Sequence, residues 1–370
     1  MNLLSLFKKA WRTSNVVIAR HLRRPPRYMP TLVLFVTNRC NLRCRMCGVR
    51  DLPCAFDREQ ELTTDDWKKV ITSAASELGT FLTTISGGEP LLRPDIFELI
   101  GFAAQSGISV HLCSNATLLT EDKILRLKEA GLASISISLE SPEEMLHNYL
   151  QAEDTFSKVV QSLKDLRRLA PNIRVGINFL ITKKNYLEMV PMLEFARSLD
   201  MHQIKYSPIH ANLLHRRKAM AEYDDLFFEK EDLADLSSEL EKLRKLCKKS
   251  GLRSSSDAFF RGIADYYEKP RQFMCYAGYS VCAIDPTGNV APCCDKDSHF
   301  NVKQKRLAEI WRDPEFHRLR NLVHHCNVPC WDATYTEMSL MLQPRSLLLN
   351  VFNLLKDVKF YFPSGSDSTH

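Results

Sequence analysis

From residue 31 to residue 207 the chain alternates short strand-like runs with helical ones, and no other feature narrows its fold as far. Strands are expected at residues 31–37, 81–85, 109–112, 134–139, 173–181 and 203–207. Helical stretches fall between them at 62–78, 94–105, 121–130, 156–169 and 187–199. Short apolar strands separated by helices imply a parallel sheet covered on both faces. Six strands are too few for a complete eight-unit barrel, so the expected fold is α/β, a partial (β/α)6 TIM-type barrel. A disordered or fibrous chain is excluded, because 45% of the residues are apolar and only 13 are Gly and 17 Pro. Ligands of such sheets sit beyond the carboxyl ends of the strands, and three cysteines, Cys40, Cys44 and Cys47, follow the first strand there.

The flanks divide the chain further. Residues 1–30 read as a basic amphipathic helix: Lys8, Lys9, Arg12, Arg20, Arg23, Arg24 and Arg27 stand there without one acidic residue, while Phe7, Trp11, Ile18 and Leu22 gather on the other side. Either it packs on the protein's own body or it lies on an anionic membrane surface. The charges interrupt any secretory signal, and no stretch reaches the roughly 20 apolar residues that span a bilayer. A cytoplasmic protein is therefore expected, with a peripheral place on the inner face of the membrane as the alternative to docking of this helix on the body. Residues 31–250 form the barrel and its covering helices, with Leu233, Leu236, Leu240, Leu243 and Leu246 at helical spacing. Residues 251–335 form a small cysteine-rich module, and residues 336–370 an amphipathic helix with a flexible polar tail. The net charge of +6 is too slight to argue for nucleic acid, and no Arg and aromatic stacking stripe is evident.

Twelve cysteines in a chain expected in a reducing compartment point to metal rather than disulfides. Thiolates spaced as Cys40, Cys44 and Cys47 suit an iron–sulfur cluster with one iron left open, or zinc if Cys54 supplied a fourth ligand. Paired glycines at Gly87 and Gly88 let backbone approach a ligand closely. Glu89 has an ordinary alternative as a helix-start acid, and Ser114, Asn115, Ser136 and Ser138 as turn or strand-end residues.

The segment from Cys40 to Cys47, CNLRCRMC, together with Ser86-Gly87-Gly88-Glu89-Pro90 after the second strand, resembles the signature of the radical S-adenosylmethionine (radical SAM) enzymes. The resemblance implies that Cys40, Cys44 and Cys47 hold a [4Fe–4S] cluster whose open iron binds S-adenosylmethionine. It implies reductive cleavage to a 5′-deoxyadenosyl radical that abstracts hydrogen from substrate, with an external one-electron reductant such as flavodoxin or ferredoxin. Gly87, Gly88 and Glu89 would lie at the methionine amino end, and Ser114, Asn115, Ser138 and Glu140 near the ribose and carboxylate.

Residues 275–331 resemble the SPASM extension, with Gly288 and Cys293 as its G-x4-C element and Ile310-Trp311 as its typical segment. The absence of cysteine between Cys294 and Cys326 argues for one auxiliary [4Fe–4S] cluster, on Cys275, Cys293, Cys326 and Cys330, with Cys282 and Cys294 as alternates, although Cys282 alternates with buried strand positions and reads first as a small core residue. A fully ligated cluster passes electrons or braces the fold. Cys113, Cys247, Cys54 or a tyrosine are candidate hydrogen-atom donors if the reaction is an epimerisation. The expected function is a radical SAM oxidoreductase acting on a small molecule, lipid or glycan. The alternative is a maturase or epimerase of ribosomal peptides or proteins, and the non-enzymatic alternative an iron–sulfur electron-transfer protein, which needs no methionine-binding shelf. The few residues before the first strand leave no room for a separate peptide-recognition domain, which weighs toward the small substrate.

Overall fold

The computed structural model describes residues 3–48, 58–209, 225–269, 273–296, 298–328, 330–343 and 351–363. Helix α1, Leu3–His21, precedes an alternating series. Its strands are β1 Thr31–Thr37, β2 Leu82–Gly87, β3 Ser109–Ser114, β4 Ser134–Ser138, β5 Arg174–Ile181 and β6 Gln203–Pro208. The intervening helices are α2 Thr64–Thr72, α3 Ile96–Gln105, α4 Glu121–Glu129, α5 Glu144–Leu150, α6 Phe156–Leu169 and α7 Met189–Ser198. The α/β barrel expectation holds. Helix α2 starts where Thr63 and Asp66 form a reciprocal capping box and runs into a π-helical turn over Ser73–Glu77. Helix α5 was not anticipated, because its seven residues are too short to show a period.

Strands β1 to β6 are parallel neighbours in sequence order. The sheet is longer than six strands. Strand β7, Val281–Ile284, joins it parallel to β1, and β8, Val290–Ala291, closes an antiparallel hairpin beyond it. The cysteine-rich region thus builds onto the barrel sheet itself.

The two faces of the sheet differ, which departs from the expectation of strands apolar on both sides. Leu34, Ile85, Leu112, Ile135, Ile137, Ile177 and Ile204 are buried in the main core, which also holds residues of the surrounding helices. Register places Thr84, His111, Ser134, Ser136, Gly176, Asn178 and Lys205 on the other face, toward the barrel lumen. The text Ser134-Ile135-Ser136-Ile137-Ser138 shows the reason, since a strict period of two sends every isoleucine one way and every serine the other. Over β2 to β6 the lumen wall is largely polar.

Helix α8, Leu233–Lys249, buries Leu233, Leu236, Leu240 and Leu243 as the leucine stripe predicts, while Leu246 stays exposed. Helix α9, Asp257–Glu268, packs on it. Helices α10 Leu307–Arg312, α11 Pro314–His324 and α12 Tyr335–Met341 follow, and α13, Val351–Tyr361, closes the chain against β3. Leu347, Leu348, Cys54 and the tail from 364 to 370 lie outside the described residues.

Candidate functional site

The loop that leaves β1 is fixed by backbone before any side chain acts. Gly88 N donates to Thr37 O at 2.7 Å and Glu89 N to Arg39 O at 2.8 Å, so the end of β2 is stitched to the segment leading into Cys40. A Cβ on Gly87, whose φ is +138°, would come within 2.2 Å of Thr37 O, and one on Gly88 within 2.2 Å of Arg39 O. Only glycine fits at either place. The side chain of Met46 enters an apolar cluster with Leu150, Ile209 and Leu226, and Arg45 N donates to Leu150 O at 2.9 Å, which anchors the far side of the loop.

Cys40, Cys44 and Cys47 face one another. Burial and the charge of the neighbouring thiols push the Cys40 and Cys44 thiols up from their ordinary value, Cys44 the more strongly. Among the described residues no set of three or more Cys, His, Asp and Glu converges as the ligand shell of a single ion. Amide donors also reach the sulfur: Leu42 N lies 3.4 Å and Asn115 Nδ2 3.8 Å from Cys40 Sγ.

Glu89 is fully buried and its carboxylate is occupied by the chain. It accepts from Ser114 Oγ at 3.0 Å, Leu91 N at 3.0 Å and Asn115 N at 2.8 Å, and burial raises its pKa against these bonds. Asn115 also donates to Asn41 Oδ1 at 3.1 Å, so Glu89, Ser114 and Asn115 tie the end of β3 to the cysteine loop. Glu140 accepts from Leu180 N at 2.7 Å, and burial pushes its pKa up to about 8. Its charge is felt at Cys44, which places it beside the thiols. Ser138 O accepts from Gln151 Nε2 at 3.1 Å. Ser136 Oγ, buried on the lumen face, has no hydrogen-bond partner among the described residues.

A clamp behind this loop was not anticipated. Glu61 bonds Thr37 Oγ1 and pairs with Arg39 at 3.3 Å and with the buried Arg93 at 3.4 Å. Arg93 also donates to Val36 O and Leu62 O. Only the fold brings these positions together, so sequence spacing carries no signal for it.

Cys275, Cys293, Cys326 and Cys330 lie near one another. Cys275 and Cys326 act electrostatically on Cys293, and Cys275 and Cys293 on Cys330, while burial raises the pKa of Cys293 and Cys330 far above the usual thiol value. Cys275, Cys293 and Cys294 pack against Val33 and Phe35 of β1. Cys282 is a core residue against Met29, as its place among buried strand positions indicates, and Cys247 is core too. Cys113 lies in the lumen, where burial holds its thiol up at about 11.

Helix α1 reaches this group from outside the barrel. Arg20 Nε donates to Cys275 O at 2.7 Å, and Arg20 also meets His324. Val16 and Ala19 pack with Tyr276, Tyr279 and Leu342. Lys9 sits 3.8 Å from the Phe362 ring centroid and Arg12 Nη1 donates to Gly79 O at 2.9 Å. Lys9, Arg12 and Arg20 thus dock on the protein, while Lys8 and Arg23 and the apolar Phe7, Trp11, Ile18 and Leu22 remain exposed. Among the described residues no helix is long and apolar enough to cross a membrane.

Comparison with known proteins agrees with this geometry. The family model of the radical SAM superfamily matches residues 34–196, and that of the SPASM iron–sulfur cluster-binding domain matches residues 275–332. The chain is 28% identical to a PqqA peptide cyclase of Bradyrhizobium diazoefficiens, over 83% of this chain and 79% of that protein. It is 28% identical to an AdoMet-dependent heme synthase of Methanosarcina barkeri, over 79% of this chain and 85% of the relative. Among solved structures, Streptococcus suis SuiB bound to precursor peptide SuiA shares the fold with a TM-score of 0.65 and 18% identity, covering 86% of this chain and 72% of that one. Native anSMEcpe with bound AdoMet shares it with a TM-score of 0.60 and 15% identity, covering 89% and 100%.

The chain is a radical SAM enzyme. Its carboxyl-terminal module makes it one of the SPASM type, so its cofactors are S-adenosylmethionine, a [4Fe–4S] cluster and auxiliary iron–sulfur.

Proposed function

We propose that this enzyme modifies a side chain of a peptide or protein, with Cys40, Cys44 and Cys47 holding the SAM-binding cluster and Cys275, Cys293, Cys326 and Cys330 the auxiliary one. The observation that carries the reading is that both thiol groups flank one strand, β1. The first lies on the loop leaving its carboxyl end, and the second packs on Val33 and Phe35 of its lumen side. A side chain entering the lumen passes between them. The similarity to a peptide cyclase over most of the chain supports a peptide more than the small molecule, lipid or glycan that the short amino-terminal segment suggested.

When bound, the first cluster and S-adenosylmethionine supply a 5′-deoxyadenosyl radical, with one electron from an external reductant such as flavodoxin or ferredoxin. The chain's own residues do the rest. Gly87 and Gly88 set the loop, and Glu89 holds Ser114 and Asn115 in place while its Oε2 keeps an acceptor site for the methionine amino group. Asn115, through its amide to Cys40 Sγ, stabilises charge on sulfur. Glu140, fixed by the Leu180 amide, is a polar group for the cofactor at the thiol loop. Ser136 and Ser138 supply hydroxyls to whatever fills the lumen.

The test is anaerobic turnover with side-chain-deuterated candidate precursor peptides, following label into 5′-deoxyadenosine. Transfer from peptide supports the reading; transfer only from small molecules of the same extract overturns it. We further propose that α1 rests on the inner face of an anionic membrane, since Phe7, Trp11, Ile18 and Leu22 face away from the body to which the helix is already docked. Flotation with anionic vesicles at low salt checks this, and Phe7→Ser with Trp11→Ser should leave the protein at the bottom of the gradient.

A further inference from the structure

An exposed basic surface lies where the end of α1 meets α11. Residues 1–30 and residues 316–331 carry no acidic side chain, and the fold brings the two stretches together. His317 Nε2 donates to Arg23 O at 3.2 Å, Trp311 Nε1 donates to Pro26 O at 3.0 Å, and Arg20 meets His324 at 2.6 Å. Arg23, Arg24, Arg318 and His325 stand exposed around this contact. Leu322 shares a face of α11 with Arg318, four residues earlier, and is 56% exposed.

The fold itself makes no use of these charges. Among the described residues no carboxylate pairs with Arg23, Arg24 or Arg318, and the one acid of α11, Glu315, lies 3.5 Å from His299. Arg20 and His21 already stand in the last turn of α1, so compensation of the helix dipole does not require Arg23 and Arg24 beyond it. Arg23 is moreover held at φ +51°, in a turn where Arg24 N donates to Ala19 O at 2.9 Å. Glycine adopts that conformation freely and is the usual residue there. An arginine kept where glycine would relieve strain points to a use for its side chain.

The surface borders the auxiliary thiols. Cys326 follows His325 directly, donates its N–H to Val323 O at the end of α11, and is half-buried beside the exposed Asn327. We propose that this surface docks a small acidic one-electron carrier of the ferredoxin type, which takes an electron from the auxiliary cluster at Cys326. The proposal rests on the auxiliary-cluster assignment above and concerns a different centre from the one the external reductant feeds. Charge complementarity argues for the occupant, since an acidic face is steered to these cations and Leu322 gives it an apolar contact beside the thiol. An anionic lipid would use the charges but not their place next to Cys326. In the transfer the auxiliary cluster passes from [4Fe–4S]+ to [4Fe–4S]2+ and the oxidised cluster of the carrier gains that one electron, with no bond or proton changed.

The experiment uses the full chain with Cys40, Cys44 and Cys47 changed to Ala, so that only the auxiliary cluster remains. Photoreduced without oxygen and mixed with excess oxidised acidic [2Fe–2S] ferredoxin, it should pass its electron at a rate that falls as salt rises. Arg24→Glu with Arg318→Glu should slow the transfer about thirtyfold at low salt and remove its salt dependence. Leu322→Ser should weaken ferredoxin binding about tenfold and leave the salt dependence as it is. Arg23→Gly should slow transfer about fivefold, yet unfold at an equal or higher denaturant concentration, the reverse of what loss of a structural arginine would do. Oxidation by benzoquinone, small and uncharged, should be the same in every variant. A chain that holds no iron once the first three cysteines are gone overturns the auxiliary assignment and this proposal together. Iron present, with transfer indifferent to Arg24→Glu and Arg318→Glu, overturns the proposal alone, and loss of flotation on anionic vesicles by that same pair then assigns the surface to lipid.

Discussion

The two thiol groups are built in opposite ways. The first sits on eight consecutive residues, and its surroundings are mostly backbone: Thr37, Arg39, Gly87 and Gly88 at contact distance. The second draws Cys275, Cys293, Cys326 and Cys330 from loops around the β7–β8 hairpin and beyond α11. Its surroundings are long side chains reaching across the molecule, among them Arg20 to Cys275 O and Trp331 Nε1 to Phe259 O at 3.0 Å. A local loop holds its geometry wherever β1 and β2 pair, whereas a dispersed group exists only after the whole chain has folded. The radical-generating site should therefore be robust to distant change, and the auxiliary site sensitive to it.

The largest contrast comes from removing the thiols. Changing Cys40, Cys44 and Cys47 to Ala should abolish cleavage of S-adenosylmethionine and leave the auxiliary iron, read as iron content and as 5′-deoxyadenosine formed. Changing Cys326 and Cys330 should remove the auxiliary iron and substrate turnover yet spare part of the uncoupled cleavage. Equal loss of cleavage in both folded variants would erase the division of labour.

Next is Gly88→Ala. Its Cβ would meet a backbone oxygen that cannot swing aside, so the loop or the β1–β2 pairing must shift. The expected cost is about 2–4 kcal/mol in denaturant unfolding, with loss of the first cluster and retention of the second. A variant as stable as the wild type, with both clusters, would show that the loop is softer than its contacts imply.

This division also explains what the sequence disclosed. The cysteine loop and the glycine motif were legible because their function lies in one short segment each, and strands β1 to β6 because each is a local run. The four auxiliary thiols were assigned by resemblance, and the alternation of Cys282 with buried strand positions already set it apart as a core residue, in keeping with its burial against Met29. The polar lumen was hidden by averaging: Ser134 to Ser138 scores as apolar enough for a strand, and its alternation matters only once the sheet has a curved inner face. The Glu61–Arg93 clamp joins charges 32 residues apart, and no periodicity announces it. Helix α1 was read correctly as amphipathic, but which side docks was decided by partners distant in sequence: Gly79, Cys275, His324 and Phe362.

The smallest expected effect probes that long reach. Arg20 is buried, bonds Cys275 O and touches His324, two residues before Cys326. Arg20→Met keeps the apolar stem but removes the guanidinium, leaving the Cys275 carbonyl short of a charged donor at a cost of about 1–3 kcal/mol. Charge and hydrogen bonding near an iron–sulfur cluster set its potential, so taking away a cation should favour the oxidised form and lower the auxiliary potential, measured by redox titration under electron paramagnetic resonance. The first cluster, stitched by local backbone, should keep its potential and its rate of S-adenosylmethionine cleavage. Arg20→Lys, which retains the charge with a different geometry, should recover part of the shift. If Arg20→Met moves both potentials alike, the two sites are coupled through the fold and the contrast between a local and a dispersed centre fails; if it moves neither, Arg20 serves only to dock α1.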